Sequence, residues 1–485
     1  MAISTALNTA ISGLTAATKR TDVISGNLAN ALTPGYSRRD LDISSRSAQG
    51  VGIGVQVNGV IRNHDPILVG DRRIAEAEFS RAQTEANYFG NIERILGTPE
   101  EGHSLSSQVA ALESALIAAT SRPDSENRLS AVLSTAQSLV RTLGNAADAV
   151  QDQRARADAE IASQVETLNT TLRQIADVDR SIMQTRVAGH DTSGLEDQRQ
   201  LLTDVVSTIL PVKELTRDNG QTALYTPGGT VLVDGQPAVF QFTATPTIVA
   251  DSTLASGALS GLTVNGRPVD TTRENGPISG GTLAAQFQIR DSLAPGTQAD
   301  LDAFARDIME RFEAVADPAN PASGLAGLFT DNGAVFDPAV EEGLSGRLSV
   351  NALVDPDNGG SLSLIRDGLT ATGAGPVSAT ANIEAWLGAL TDTRSPASGA
   401  FSGGSRSASG LASDVLSNAG AAKQFAESEM TFRSTQYSSL RQIELGQGVN
   451  TDDELQKLLV VEKAYTANVK VIQAADEMLQ TLLRI

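Results

Sequence analysis

The residues that could do chemistry in this chain are few and scattered. Three histidines, His64, His103 and His190, are spread over 485 residues. Each sits beside turn residues, and none lies at ligand spacing from another histidine or a paired acid, so each reads as a surface or capping group. There is no cysteine, which excludes disulfides, thiolate nucleophiles and cysteine-based zinc sites. A chain that must cross a narrow channel unfolded would also benefit from having no disulfide to form early, and composition alone does not separate these readings. No G-x-S-x-G elbow precedes a helix, so no serine nucleophile is suggested. Gly50-Val51-Gly52-Ile53-Gly54 is glycine-rich, but Val55-Gln56-Val57 continues it as an alternating strand, where a dinucleotide site needs a helix N-terminus. Asp355 and Asp357 hint at a calcium loop, but the twelfth position is Arg366, where a bidentate glutamate is required. The acid pairs Asp452-Asp453 and Glu341-Glu342 fit solvated surface better than acid–base catalysis. No catalytic, cofactor-binding or metal-ligating residue is assigned, and the chain is read as no enzyme.

Charge and composition narrow the class. Asp and Glu number 57 against 37 Lys and Arg, a net charge of −20. Such a surface repels phosphate backbones and anionic lipid, so neither nucleic acid nor membrane is expected as a partner. Hydrophobic residues make up 40% of the chain and aromatics only 4%. Thin cores of Ala, Leu, Val and Ile are therefore expected, and a large ligand pocket is not. The length suggests about three domains. No apolar h-region follows a charged n-region, so no cleaved secretory signal is read. No apolar run approaches the roughly 20 residues needed to span a bilayer.

The elements that remain to be positioned are mostly helices. Ile3, Ala10, Ala17, Ile24 and Ala31 recur at sevens. Leu7, Leu14, Thr21 and Leu28 interleave with them, giving an a/d seam with one polar position before Pro34 and Gly35 stop the helix. At the other end Leu458, Tyr465, Ile472 and Leu479 recur at sevens, flanked by Leu455, Val461, Val469, Ala475 and Leu482. Thr451 or Asp452 is the expected cap. Uninterrupted from Thr451 to Ile485, this helix would be about 50 Å long. One apolar stripe on a long helix cannot bury itself. The two terminal stripes are expected to pair with each other and with copies from neighbouring subunits.

Between them, strands are expected from Asp40 to Ile61 and helices over 67–96, from Leu105, over 124–187 and over 195–210. The seam of the long helix carries a stutter at Ala157–Ile161–Val165. From Val212 the composition turns to Gly, Thr, Val and Pro, with hairpin signals at Asp234-Gly235 and Asn265-Gly266. The expectation is a mainly α, multidomain α+β fold: long terminal helices pairing as a coiled coil, a helical body and a small outer β domain. The expected division is 1–50 with 446–485 as the terminal assembly domain, and 51–211 with 280–318 and 411–445 as the helical body. The β module is 212–279, and 319–410 is a loop-rich segment with short strands, its packing open. Ser398–Gly410 is read as mobile.

The termini also carry recognisable motifs. Ser12-Gly13-Leu14, Ser25-Gly26-Asn27-Leu28-Ala29-Asn30-Ala31 and Thr33-Pro34-Gly35-Tyr36-Ser37-Arg38-Arg39 resemble the N-terminal signature of flagellar rod, hook and hook-associated proteins. Gly448-Val449-Asn450-Thr451-Asp452-Asp453-Glu454 is similar to the G-V-N-x-D-E-E of the hook-associated branch. Ala464-Tyr465, Ala467-Asn468 and Ala475-Asp476-Glu477-Met478-Leu479 resemble the axial helix that these proteins share. Asp197-Gln198-Arg199 and Gly280-Gly281-Thr282-Leu283 match the same pattern. The resemblance implies an extracellular structural protein of the bacterial flagellum, needed for motility and exported by the type III apparatus without a cleaved signal. It implies a ring of copies at the hook–filament junction, between the hook protein and a second hook-associated protein, and a cytoplasmic export chaperone on the C-terminal helix. Another axial subunit of hook or rod is the nearest alternative; a surface adhesin is a more distant one. The interface expected on this basis comprises Leu7, Leu14, Ile24, Asn27, Leu28, Asn30, Pro34, Gly35, Tyr36, Arg38, Leu458, Tyr465, Val469, Ile472, Leu479 and Leu482. No cofactor is expected.

Overall fold

A computed structural model describes residues 2–48, 51–98, 101–217, 220–273, 276–316, 324–401 and 403–483. Of the expected boundaries, Met1, Gly50, Pro318, Ala319 and Ile485 fall outside these residues. Helix α1 (Ala2–Ala29) leads into a long two-stranded ribbon, β1 (Arg39–Ala48) and β2 (Val51–Arg62), paired antiparallel. Four helices follow: α2 (Pro66–Leu96), α3 (Leu105–Ser121), α4 (Glu126–Val187) and α5 (Ser193–Ile209). Local chemistry sets their starts. Asp65 accepts hydrogen bonds from the backbone N–H groups of Ile67 and Leu68 ahead of Pro66, and Ser104 accepts one from Ser107.

The β module is two small antiparallel sheets. The first runs in the order β3 (Lys213–Thr216), β4 (Thr222–Tyr225), β5 (Val231–Asp234), β6 (Gln236–Pro237). The second is β7 (Phe240–Gln241), β8 (Thr263–Val264), β9 (Arg267–Pro268). Asn265 takes φ 52° and Gly266 φ 74°, the backbone that a tight hairpin turn requires. Helix then returns as α6 (Gly281–Gln288), one π-helical turn (Ile289–Leu293) and α7 (Ala294–Glu313). The widened turn lies just ahead of Pro295, whose missing N–H and ring would otherwise break the ladder.

The segment from 324 to 401 joins the helical body. Strands β10 (Phe329–Asp331) and β11 (Leu348–Val350) pair across α8 (Leu344–Arg347), and α9 (Ser363–Asp367) and α10 (Ala381–Thr391) follow. Trp386 of α10 is fully buried against Phe312, 5.9 Å between ring centroids, and Phe312 stacks edge-on with Phe329 at 5.0 Å. At Ser398–Gly410, read as mobile, two contacts tie the chain to its surroundings: Arg394 and Arg406 form a β-bridge, and Asp300 accepts the Ala400 N–H at 2.9 Å. The chain ends with α11 (Ala408–Gly446) and α12 (Thr451–Leu483).

Helix α4, 62 residues long, spans about 93 Å at 1.5 Å per residue and serves two cores. Its first half, from Leu129 to Ala157, packs in the body core with α3, α7, α10 and the start of α11. Its second half, from Ile161 to Ala176, packs in a core shared with α5, α6 and the β module. The stutter at Ala157–Ile161–Val165 falls where the helix changes partners, which is what a local change of supercoil accomplishes.

Trp386 offers a test of the body core. Its indole Nε1 is buried without a hydrogen-bond partner. Trp386→Phe should therefore cost about 1 kcal/mol or less, having no indole bond to lose. Trp386→Ala should cost about 3–5 kcal/mol. Urea denaturation of both variants, followed by circular dichroism, checks the contrast.

Candidate assembly interface

The two terminal helices lie side by side and antiparallel. Asn27 near the end of α1 meets Glu454 at the start of α12, and Gly13, half-way back along α1, meets Asn468. Asn450 caps α12, accepting from the N–H groups of Asp452 and Asp453. This places the cap one residue before Thr451 and two before Asp452, the two expected caps. Helix α1 ends at Ala29, two residues short of Ala31; there the Gly26 carbonyl accepts both the Asn30 N–H at 3.1 Å and its side-chain amide at 2.9 Å.

The seam between them is thin. Ala17, Ile24 and Val461 form its only buried cluster among the described residues, with Leu458 packed against it. The position of α12 turned into α1 repeats as Glu454, Val461, Asn468 and Ala475. Two of these four are polar, and a Cβ on Gly13 would lie 2.8 Å from the Asn468 side chain. Leu7, Leu14, Leu458, Val469 and Ile472 are half-buried, whereas Leu28, Tyr465 and Leu479 stand 38%, 44% and 38% exposed at the edge. The Leu482 side chain lies outside the described part.

A second stripe on α12 has no partner among the described residues. Val460, Ala464, Ala467, Val471, Ala474 and Met478 follow one another at alternating steps of four and three, and all six are exposed. This is a full a/d repeat on a face distinct from the one that meets α1. Sequence reading missed it because alanine carries little weight in a search for apolar stripes.

At the base of the helix pair the signature loop is tied down by polar contacts. Asn27 is fully buried and uses its whole hydrogen-bonding capacity. It donates to the Arg39 carbonyl (2.8 Å) and to Glu454 Oε2 (2.9 Å), and accepts from the Tyr36 hydroxyl and the Arg39 N–H, both at 2.9 Å. The Arg39 guanidinium sits 4.8 Å over the Tyr36 ring and pairs with Asp197 of α5 at 2.9 Å. Asp197 also accepts from Arg62 Nε at 2.9 Å, and Arg62 reaches Ser37 and Gln200. Burial pushes the Tyr36 hydroxyl above its ordinary range, partly offset by Arg39. Gly35 has φ 77°, and a Cβ there would strike Leu201 at 2.5 Å, so only glycine fits the turn. Pro34 is exposed; Arg38 is half-buried with one long contact to Asp40 at 3.4 Å. Glu454, Asp197, Arg39 and Arg62 are among the contact residues absent from the expected interface. Glu454 and Asp197 stand inside the quoted motifs, but only the fold brings them to Asn27 and Arg39.

Asp197→Ala should loosen this loop. Arg62, with a side chain 6% exposed, would keep its neutral partners Ser37 and Gln200 but only one carboxylate, Glu196 at the longer distance of 3.6 Å. The expected cost is about 2–3 kcal/mol, read as a lower urea midpoint together with faster proteolysis within residues 30–38.

The groups considered for chemistry are dispersed. His64, His103 and His190 are exposed. Asp355 accepts from Asp357 N–H, Asn358 and Gln137, capping a turn. Glu341 pairs with Arg306 at 2.7 Å. Among the described residues no group of three or more His, Asp or Glu is placed to hold a metal ion, and no helix is long and apolar enough to cross a membrane.

Comparison with known proteins agrees with this geometry. Residues 89–327 match the model of the flagellar hook-associated protein FlgK helical domain. Residues 7–36 match the flagella basal body rod protein, and 445–485 the flagellar basal body rod FlgEFG protein C-terminal region. Flagellar hook-associated protein 1 of Salmonella typhimurium is 28% identical over 297 residues, 56% of this chain and 53% of that protein. The match thus spans about half the length of that relative. The protein of the same name from Bacillus subtilis is 22% identical over 509 residues, covering 98% and 97% of the two chains. The flagellar hook junction protein FlgK from Burkholderia pseudomallei, a solved structure, aligns over 54% of this chain and 46% of its own at 19% identity and a TM-score of 0.44. With the helical body and both termini matched in their proper order, the chain is similar to the flagellar hook-associated proteins 1 in its helical body and at both ends.

Proposed function

We propose that this protein is a non-enzymatic structural component of the bacterial flagellum at the hook–filament junction. In this reading it is exported by the flagellar type III apparatus and assembles through α1 and α12 into a ring of copies. Its axial neighbours are the hook protein and a second hook-associated protein, and in the cytoplasm an export chaperone covers α12. Residues 1–50 with 446–485 act as the assembly domain, while the β module of 212–279 faces outward from the helical body.

One observation carries the reading. Helix α12 bears two heptad stripes, one against α1 and one bare, the latter running from Val460 to Met478. A helix with two such stripes needs two neighbours, and the described residues supply one. An exposed apolar stripe of this length marks a contact surface rather than a solvated face. The half-buried and edge residues of the first seam, Tyr465 and Leu479 among them, extend the same surface.

Electron microscopy of flagella from a strain lacking the gene tests the reading. Hooks without filaments, with monomeric filament protein in the medium and rescue by the intact gene, are expected. Filaments of normal number on the deletion strain would overturn it.

A further inference from the structure

The polar cluster at the base of the terminal helices does more than fill a turn. The apolar seam above it is too thin to hold two helices of 28 and 33 residues at a fixed angle to the body. The strongest contacts are instead at the point where both helices leave the body. Glu454 is 1% exposed and Asn27 0% exposed. Glu454 accepts from Asn27 at 2.9 Å and from Lys457 at 2.6 Å, and Lys457 lies 3.9 Å from Asp40 of the ribbon. From Asn27 the contacts run through Tyr36 and Arg39 to Asp197 on α5, and from Asp197 to Arg62 on β2. One continuous path thus joins α12, α1, the loop, the ribbon and the body.

We infer that Asn27 and Glu454 are positioning residues that set the direction of the terminal helix pair relative to the helical body. A buried polar pair suits this task better than an apolar one. Hydrogen bonds fix distance and angle, whereas an apolar contact tolerates sliding and rotation, and an unsatisfied buried partner penalises every other arrangement. The deep position of α12 repeats as Glu454, Val461, Asn468 and Ala475, so large apolar side chains that could lock the pair elsewhere are missing. The joint goes beyond the junction reading, and because it belongs to the free chain it can be tested without assembly.

The absence of cysteine lets the measurement be made on the full chain with added labels only. Spin labels at Lys463→Cys on α12 and Gln174→Cys on α4, both exposed positions, report the helix-to-body distance by pulsed electron resonance. The parent chain should give one narrow distribution. Asn27→Asp sets two carboxylates against each other and should broaden the distribution by roughly a factor of two, the signature of a freed hinge. Asn27→Asp combined with Glu454→Gln restores a donor facing an acceptor and should narrow it again, which isolates the pair from its surroundings. Val461→Ala, which thins the seam and leaves the joint intact, should keep the narrow distribution. Circular dichroism identifies any variant whose helices are lost, and the Glu454→Gln single variant, which keeps an acceptor for Asn27, should stay close to the parent. The inference is overturned if Asn27→Asp is as narrow as the parent, if the double variant is no narrower than Asn27→Asp, or if Val461→Ala broadens as much as Asn27→Asp.

Discussion

Val460→Asp combined with Val471→Asp should leave the free chain folded and abolish its incorporation into flagella. Both side chains are exposed, 66% and 45%, and neither touches the seam with α1. Exposed substitutions of this kind change stability by about 0.5 kcal/mol or less, so the melting curve should barely move. If the bare stripe of α12 is buried between copies, each aspartate must be desolvated in an apolar contact without a partner. An assumed cost of about 3 kcal/mol per site would lower each subunit contact by roughly four orders of magnitude. Hooks without filaments in the complemented strain, beside an unchanged melting curve of the purified chain, is the expected pair of results. Normal filaments would mean that the stripe is solvated in the assembled state.

Arg154→Met should be among the most destabilising single changes in the interior. Arg154 is 1% exposed, and among the described residues its guanidinium donates to amide and main-chain carbonyl oxygens and to no carboxylate. Its guanidinium donates to the carbonyls of Arg290 (3.1 Å), Val249 (3.0 Å), Ala250 (3.1 Å) and Ser252 (2.5 Å). One side chain of α4 thereby pins the turn at 249–252 of the β module to the π-helical turn. Asp158, one helical turn on, accepts from the Thr245 N–H at 2.6 Å and from Arg290 at 2.7 Å. Methionine matches the length and fills much of the volume but removes four hydrogen bonds to carbonyls, of which, among the described residues, Val249 alone keeps a second donor, the Ser252 N–H. A loss of about 3–5 kcal/mol is expected, with amide exchange rising over 245–262 well before it rises in α4. Uniform exchange across the module and the body would argue against a local pin.

Much of this architecture was legible in advance, and the reason is periodicity. The long helices were placed to within a few residues because their seams run for many turns, and α4 even announced its change of partners through the spacing at Ala157. The packing of 324–401 was not legible. Its elements are three to eleven residues long, and the contact that fixes it, Trp386 with Phe312, joins positions 74 residues apart. At the termini the motifs drew attention to Asn27 and Tyr36, yet the acid that completes their network, Glu454, lies 427 residues away from Asn27. Its neighbours Asp452 and Asp453 are exposed, and nothing in the run of acids distinguishes the buried one. The bare stripe of α12 was passed over for a different reason: three of its six residues are alanine, apolar enough for close helix contact and too small to stand out.

Helix α4 carries a mechanical consequence. Body and β module are usually thought of as neighbours that press on each other, but here they are threaded on one beam. A bending load applied at either end is borne along an unbroken ladder of main-chain bonds rather than across a boundary that could slip. Give is left to the foot of the terminal hairpin, where a handful of side chains stand between a stiff keel and whatever turns it.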